Sequence, residues 1–437
     1  MQILNWQELD ADARRAALAR PAAGQSERIR SEARDIIEQV RREGTAALLA
    51  LTARFDQARL SQLQVSAAEL AAARNALPAE ALTALERAIG NVRRFHAATA
   101  SAPVAIDVEP GVHCERLVRP LQAVGLYVPA GSAPLPSTAI MLTVPATLAG
   151  CPVRVVCTPP RADGSADPAV VVAASLAGAT AIFKLGGVQA IAAMAYGIAP
   201  LPKVCKVFGP GNAWVTAAKQ LVAADAAGAA LDMPAGPSEV MVIADATARA
   251  EWIAADLLAQ AEHDPLSQAI LLTDNAQIAQ ATAAAVQAQL PGLSRQTVLR
   301  ASVAALRIVQ VPDLTTAFAI AEDYAPEHLI IETAEPRRWL ARVNTAGSVF
   351  LGHYTPESMG DYCSGTNHVL PTYGHARAYS GLGLSDFQRR MTVQELNGDG
   401  LRSLGPTAVT LARLEGLDAH ANAVNIRLAA TGAVATS

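Results

Sequence analysis

Three short segments hold most of the side chains that could do metal or proton chemistry. Gln260-Ala261-Glu262-His263-Asp264 closes an acidic helix, Ala325-Pro326-Glu327-His328-Leu329 precedes an apolar run, and a polar loop runs from Gly360 through Asp361 to His368 and Gly374. Gln260 and His263 are three apart, so on a helix both point the same way and can offer an oxygen and a nitrogen to one cation. Two ligands do not make a site. Asp361 and a late histidine, His368, His375 or His420, could complete it. Such a donor set, without thiolate, suits zinc or another divalent first-row ion. The plainer reading is a solvated helix end with an incidental histidine. Glu327-His328 reads as an acid/base pair: a histidine is the usual proton shuttle near neutral pH, and an adjacent glutamate can activate water. Against this stands its place before a strand, because α/β crevices favour strand carboxyl ends. The plainer alternative is a helix-terminal histidine balancing the dipole.

Gly186-Gly187 and Gly209-Pro210-Gly211-Asn212 each follow a strand and precede a helix. Such turns let backbone N–H groups approach a phosphate. Neither completes the dinucleotide fingerprint, since Trp214 stands three after Gly211. Ordinary tight turns are the simpler reading.

The elements that must carry these residues follow from periodicity. Up to about residue 100 the chain reads as helix, with Ile36, Ile37, Val40, Leu82, Leu85, Ile89 and Val92 at helical spacing. Short strand-like runs follow at Val104–Val108, Glu115–Val118 and Gly125–Val128. From about Ser137 strands and helices alternate in two successive units, divided near Asp232–Glu239, which is the pattern of parallel sheets covered by helices. The tail after Gly381 reads as short helices.

Composition sets the outer limits. A chain of 437 residues suggests about two to four domains. It is 51% hydrophobic but only 4% aromatic, so its core is aliphatic. A net charge of -4 gives no electrostatic case for binding nucleic acid or membrane. No apolar run is long enough to span a bilayer, and no secretory leader is expected from the first residues. Five scattered cysteines argue for free thiols in a reducing compartment, so a cytoplasmic location is expected.

Taken together, the segments resemble the histidinol dehydrogenase family. The resemblance rests on Gly125–Gly131, Phe208–Asn212, Asp232–Val240, Gln260–Pro265, Ala325–Leu329, Gly360–Gly374, Thr392–Leu396 and Gly416–His420, in order along nearly the whole chain. Ala130 replaces a usual glycine, which alters that turn slightly without touching a reacting group, and Val188 replaces a common alanine, an exchange expected to be neutral.

The resemblance implies an α/β fold of two incomplete Rossmann-like parallel-sheet domains with a helical N-terminal arm and a helical C-terminal tail. The implied parts are an arm (1–24), a larger domain in two pieces (25–127 and 236–380), an inserted NAD-binding domain (128–235) and a tail (381–437). It also implies a zinc-dependent, four-electron oxidation of L-histidinol to L-histidine, the last step of histidine biosynthesis, with two NAD+ reduced in turn. Gln260, His263, Asp361 and His420 would bind zinc. Ser238, Gln260, His263, His328, Asp361, Glu415 and His420 would surround substrate. Tyr127, Gln189 and Asn212 would contact NAD, and Glu327 and His328 would be the catalytic pair. A homodimer would supply Glu415 and His420 in trans from the partner's tail. A zinc hydrolase using Glu327 to activate water, and a non-catalytic nucleotide-binding protein, are the alternatives.

Overall fold

The computed structural model describes residues 1–20, 27–130, 133–233 and 236–433, with the side chains of 431–433 left aside. Gly131, and Pro234-Ala235 within the Asp232–Val240 motif, lie outside the described residues, as do the expected domain boundaries at 24 and 235.

The strands, in chain order, are β1 (Gln2–Asn5), β2 (Val104–Glu109), β3 (Val112–Pro120), β4 (Ala123–Tyr127), β5 (Val153–Thr158), β6 (Ala181–Lys184), β7 (Lys206–Phe208), β8 (Ala230–Leu231), β9 (Glu239–Ala244), β10 (Gln268–Thr273), β11 (Arg307–Gln310), β12 (His328–Glu332), β13 (Ser348–Leu351) and β14 (Gln388–Leu396). Two compact units share them: Met1–Thr99 with Leu121–Phe387, and Ala100–Pro120 with Gln388–Ser437.

The first unit holds two parallel sheets. One has the order β6-β5-β4-β7-β8, the other β1-β11-β10-β9-β12-β13. Renumbered within each run of strands, both follow the 3-2-1-4-5 order of a dinucleotide-binding sheet. β1 is an added parallel strand at the second sheet's edge, pairing Gln2 through Asn5 with Arg307 through Gln310. The N-terminal segment therefore opens with a strand before its helix Ala11–Ala17. β9 and β10 are buried along their whole length, which is why they read as unbroken apolar runs with no alternation.

Local signals set the helices between these strands. Asp167 caps helix Pro168–Ala177 by accepting from the Ala169 and Val170 N–H groups, proline opens it, and left-handed Gly178 closes it. Ser66 and Glu69 form a capping box on helix Ala67–Ala76.

In the second unit, β2 and β3 fall where strand-like runs were expected, but the tail differs from its reading as short helices. The unit contains an antiparallel sheet, β14-β3-β2, in which the nine residues of β14 pair with β3. Helices Gly398–Leu414 and Asp418–Ala433 follow, of 17 and 16 residues, and Gly405 lets them approach closely at Leu428 and Val424. The first helix is long and not broken into short ones: it runs through Pro406, with Gly405 and Val409 buried one turn apart on the same face on either side of it.

Candidate active site

Each expected catalytic side chain sits where a strand of the six-stranded sheet begins. Helix Leu314–Tyr324 ends on Ala325, held at φ 53° in the left-handed region that non-glycine residues seldom occupy. That turn swings Pro326-Glu327 into β12, of which His328 is the first residue. His328 is thus neither at a helix C-terminus nor at a strand's carboxyl end. It stands at the amino end of the sheet.

The main chain of Glu239 holds both members of the pair. Its N–H donates to Glu327 Oε2 at 2.8 Å. Its carbonyl lies 3.1 Å from His328 Nδ1, which donates to it. This fixes the tautomer and turns Nε2 away; Nε2 is buried, finds no hydrogen-bond partner among the described residues, and lies 3.5 Å from Asp361 Oδ1. Glu239 is anchored in turn by Arg20, whose guanidinium contacts its carboxylate at 2.5 and 3.0 Å and covers the Tyr324 ring at 3.8 Å.

The metal candidates converge partly as expected. Gln260 lies on helix Ala250–Ala261, but His263 is just beyond it, in a turn where its N–H donates to the Gln260 carbonyl at 3.3 Å. The two still line one cleft with Ser238, Glu327, His328 and Asp361. His263, Asp361 and Glu357 each bring a ligand atom within 4.8 Å of the others. Gln260, turned to satisfy its amide, donates to both Glu357 oxygens at 3.0 and 3.2 Å.

Sequence reasoning missed Glu357. Its signal is its spacing: it precedes Asp361 by one turn on helix Glu357–Tyr362, so both carboxylates face the same way. His368, one of the three late histidines that the sequence offered to complete the metal site, also lines the cleft with a buried, unpartnered Nε2. A nitrogen and two oxygens so grouped, with no lysine or arginine among the cleft's lining residues, fit a divalent cation. Glu415 and His420 belong to the second unit and are exposed there.

Electrostatics follow from this crowding. Burial pushes Glu327 up to about 8 despite His328 and the Glu239 N–H. Burial also drives Glu357 well above the ordinary carboxylate range. His328 is opposed by burial, but Glu327, Asp361 and Glu357 outweigh it and hold the imidazole well above its usual value. Asp361 is held low against its burial by His328 and the other histidines.

The cofactor candidates lie at the carboxyl ends of the five-stranded sheet. Tyr127 ends β4, and its hydroxyl accepts from the Gly187 N–H at 3.0 Å. Gln189 is buried in the helix that Gly187 begins. Asn212 is exposed and caps helix Ala213–Ala224 with its Oδ1, leaving its amide N–H groups for other partners. Gly209, at φ 119°, packs so closely on the Tyr127 carbonyl that no β-carbon would fit. Its N–H donates to Asp232 and its carbonyl accepts from Lys219, both at 2.8 Å, and these two buried side chains form an ion pair. Gly209 and Pro210 also line the cleft that His328 and Asp361 line, so the amino ends of one sheet face the carboxyl ends of the other.

A family model described as histidinol dehydrogenase matches residues 19–428. The chain belongs to the histidinol dehydrogenase family. It is 55% identical over 428 residues to a histidinol dehydrogenase of Xanthomonas axonopodis pv. citri, covering 98% of this chain and 99% of that one. A relative from Vibrio parahaemolyticus is 50% identical over 428 residues, covering 98% of each chain. The crystal structure of histidinol dehydrogenase from Elizabethkingia anophelis superposes with a TM-score of 0.94 at 41% identity, covering 99% of both chains. The family is one of oxidoreductases. The α/β fold with two Rossmann-like parallel sheets is the expected one, and among the described residues no helix is long and apolar enough to cross a membrane.

Proposed function

We propose that this chain oxidises L-histidinol to L-histidine by two successive hydride transfers to NAD+, with zinc as the resident metal. The observation that carries the reading is the meeting, in one cleft, of an oriented imidazole whose Nε2 is unpartnered (His328), two donors (His263 and Asp361) of a nitrogen-and-carboxylate cluster that Glu357 completes, and the glycine turn after β7.

The residues divide the work as follows. His263 and Asp361, with Gln260 and His420, would hold zinc, which when bound supplies a fixed charge that orients the substrate's imidazole and amine. Glu357 stands close enough to join them or to brace Gln260. Ser238, lining the same cleft, and Glu415 would bind the substrate. His328 Nε2 takes the carbinol proton as the hydride leaves, giving an aldehyde. Water adds to the aldehyde with Glu327 as its base, and His328 takes a proton again as the second hydride leaves. The sum is one alcohol, one water and two NAD+ giving one carboxylate, two NADH and three protons. Neutralising the carboxylate of Asp361 would lower His328 toward the range a base needs. An aldehyde held in the cleft is kept from escaping as a reactive intermediate. Tyr127, Gln189 and Asn212 would contact NAD.

The second unit supports a homodimer with an exchanged tail. Leu411, Leu414 and Ile426 on its helices are 55%, 79% and 57% exposed, and β2 leaves Val104 and Ile106 exposed. Apolar side chains of this size call for a covering partner. Glu415 and His420 would then enter the partner's cleft, an isologous arrangement. A cytoplasmic location fits a diffusible cofactor and five free cysteines.

Formation of NADH on addition of L-histidinol, lost on chelation and restored by zinc, tests the reading. A hydrolase would reduce no NAD+, and a binding protein would take up nucleotide without turnover. Glu327→Gln refines it. The alcohol half-reaction should fall only a few-fold, whereas oxidation of supplied histidinal should fall about 10²-fold or more, because that half needs activated water. Equal losses in separately assayed halves would remove Glu327 from water activation.

A further inference from the structure

In a dinucleotide sheet of 3-2-1-4-5 order, the carboxyl end of the second strand usually supplies the acid that binds the adenosine ribose. Here the second strand is β5, which ends in Thr158 and continues Pro159-Pro160-Arg161, with no carboxylate. An acid arrives from elsewhere in the chain. Asp56 caps the C-terminus of helix Thr45–Phe55, well before the sheet begins. A β-carbon built on Gly186 would lie 2.8 Å from the Pro159 ring and 3.3 Å from Asp56 Oδ1, so all three meet at the carboxyl ends of the second and third strands. The charge of Asp56 also adds to burial in raising the Tyr127 hydroxyl, and that hydroxyl holds the Gly187 N–H. Asp56 therefore shares the crevice of the cofactor candidates.

Its chemistry is unspent. Asp56 Oδ2 is buried and finds no hydrogen-bond partner among the described residues. A buried carboxylate oxygen calls for a donor. The guanidinium at the end of β5 does not serve, because Arg161 pairs with Asp167 at 2.5 Å, and Asp167 is itself occupied in capping a helix. An acceptor-only carboxylate suits two vicinal hydroxyls, and it repels a phosphate placed on either of them.

We infer that Asp56 accepts the hydroxyls of the adenosine ribose and makes this chain select NAD+ over its 2′-phosphorylated form. This rests on the NAD reading above, so the test separates the two. Affinities of NAD+, NADP+ and 2′-deoxy-NAD+ are measured by calorimetry, without substrate, for the wild-type protein, Asp56→Asn and Asp56→Ala, with melting temperatures as a check on folding. The wild type should bind NAD+ and disfavour NADP+ by about 10²-fold or more, and loss of the 2′-hydroxyl should cost it about tenfold. In both variants NAD+ should weaken about tenfold, the preference over NADP+ should shrink, and 2′-deoxy-NAD+ should bind as well as NAD+. An equal 2′-deoxy penalty in wild type and variants, with the NADP+ preference intact, would overturn the role of Asp56. If both variants fail to fold, the wild type decides alone: indifference to loss of the 2′-hydroxyl would also overturn it. No binding of NAD+ by folded wild-type protein would instead remove the cofactor reading itself.

Discussion

His328→Asn should abolish turnover, by at least about 10³-fold, while leaving bound metal near the wild-type level. General-base catalysis contributes about 10²–10⁴-fold at a single step, and here one imidazole serves two steps. Asparagine keeps a donor near the Nδ1 position for the Glu239 carbonyl, so the strand start should survive. It cannot take the proton that Nε2 takes. The metal donors are other side chains, with His263, Asp361 and Glu357 grouped within 4.8 Å without His328. Elemental analysis of the purified variant beside its rate separates the two roles. Loss of metal in proportion to activity would make His328 a ligand and leave the reaction without its assigned base.

The second large effect concerns where His420 acts. His420→Asn chains and His328→Asn chains should each be nearly inactive alone. If the tail works in trans, a mixed dimer has one site with both lesions and one with neither. Random exchange makes half the dimers mixed, so about a quarter of wild-type activity should return. If each tail serves its own chain, every site keeps one lesion and nothing returns. Exchange is verified by isolating dimers that carry two different affinity tags. Recovery near a quarter would also explain why a helical tail leaves leucines as exposed as Leu414, at 79%.

Much of this was legible in the sequence, for identifiable physical reasons. β9, β10 and β12 are buried on both faces, so they appear as apolar runs between helices, and two successive parallel sheets follow. The Gly209 and Gly186 turns were visible because tight strand-to-helix connections need glycine. What escaped depends on distant partners. β14 reads Gln388-Arg389-Arg390-Met391-Thr392-Val393-Gln394-Glu395-Leu396, whose paired polar residues break any clean two-residue alternation, and it is stabilised by β3, far away in sequence, so little local distinguishes it from a helix. β1 is four residues long and earns its place only through β11.

The site shows the same division. Gln260, His263, Glu327, His328 and Asp361 were named in advance, and the fold brings them to one cleft. Glu357 was passed over because Pro356-Glu357-Ser358 resembles any exposed helix start, whereas its side chain is buried against Gln260. The objection that His328 stands at the amino end of its strand is resolved by a second sheet. The carboxyl end of β7 faces it across the cleft, through Gly209 and Pro210, so the crevice rule holds for the nucleotide sheet and not for the sheet that carries the acid and base.

The most direct measurement is a product count from a limiting amount of L-histidinol, made on protein of known zinc content. Two NADH for each histidine formed, with one zinc per chain and no free aldehyde trapped by a carbonyl reagent, is the expected result. One NADH per histidinol consumed, with the aldehyde released into solution, would contradict a single cleft in which His328 serves both oxidations.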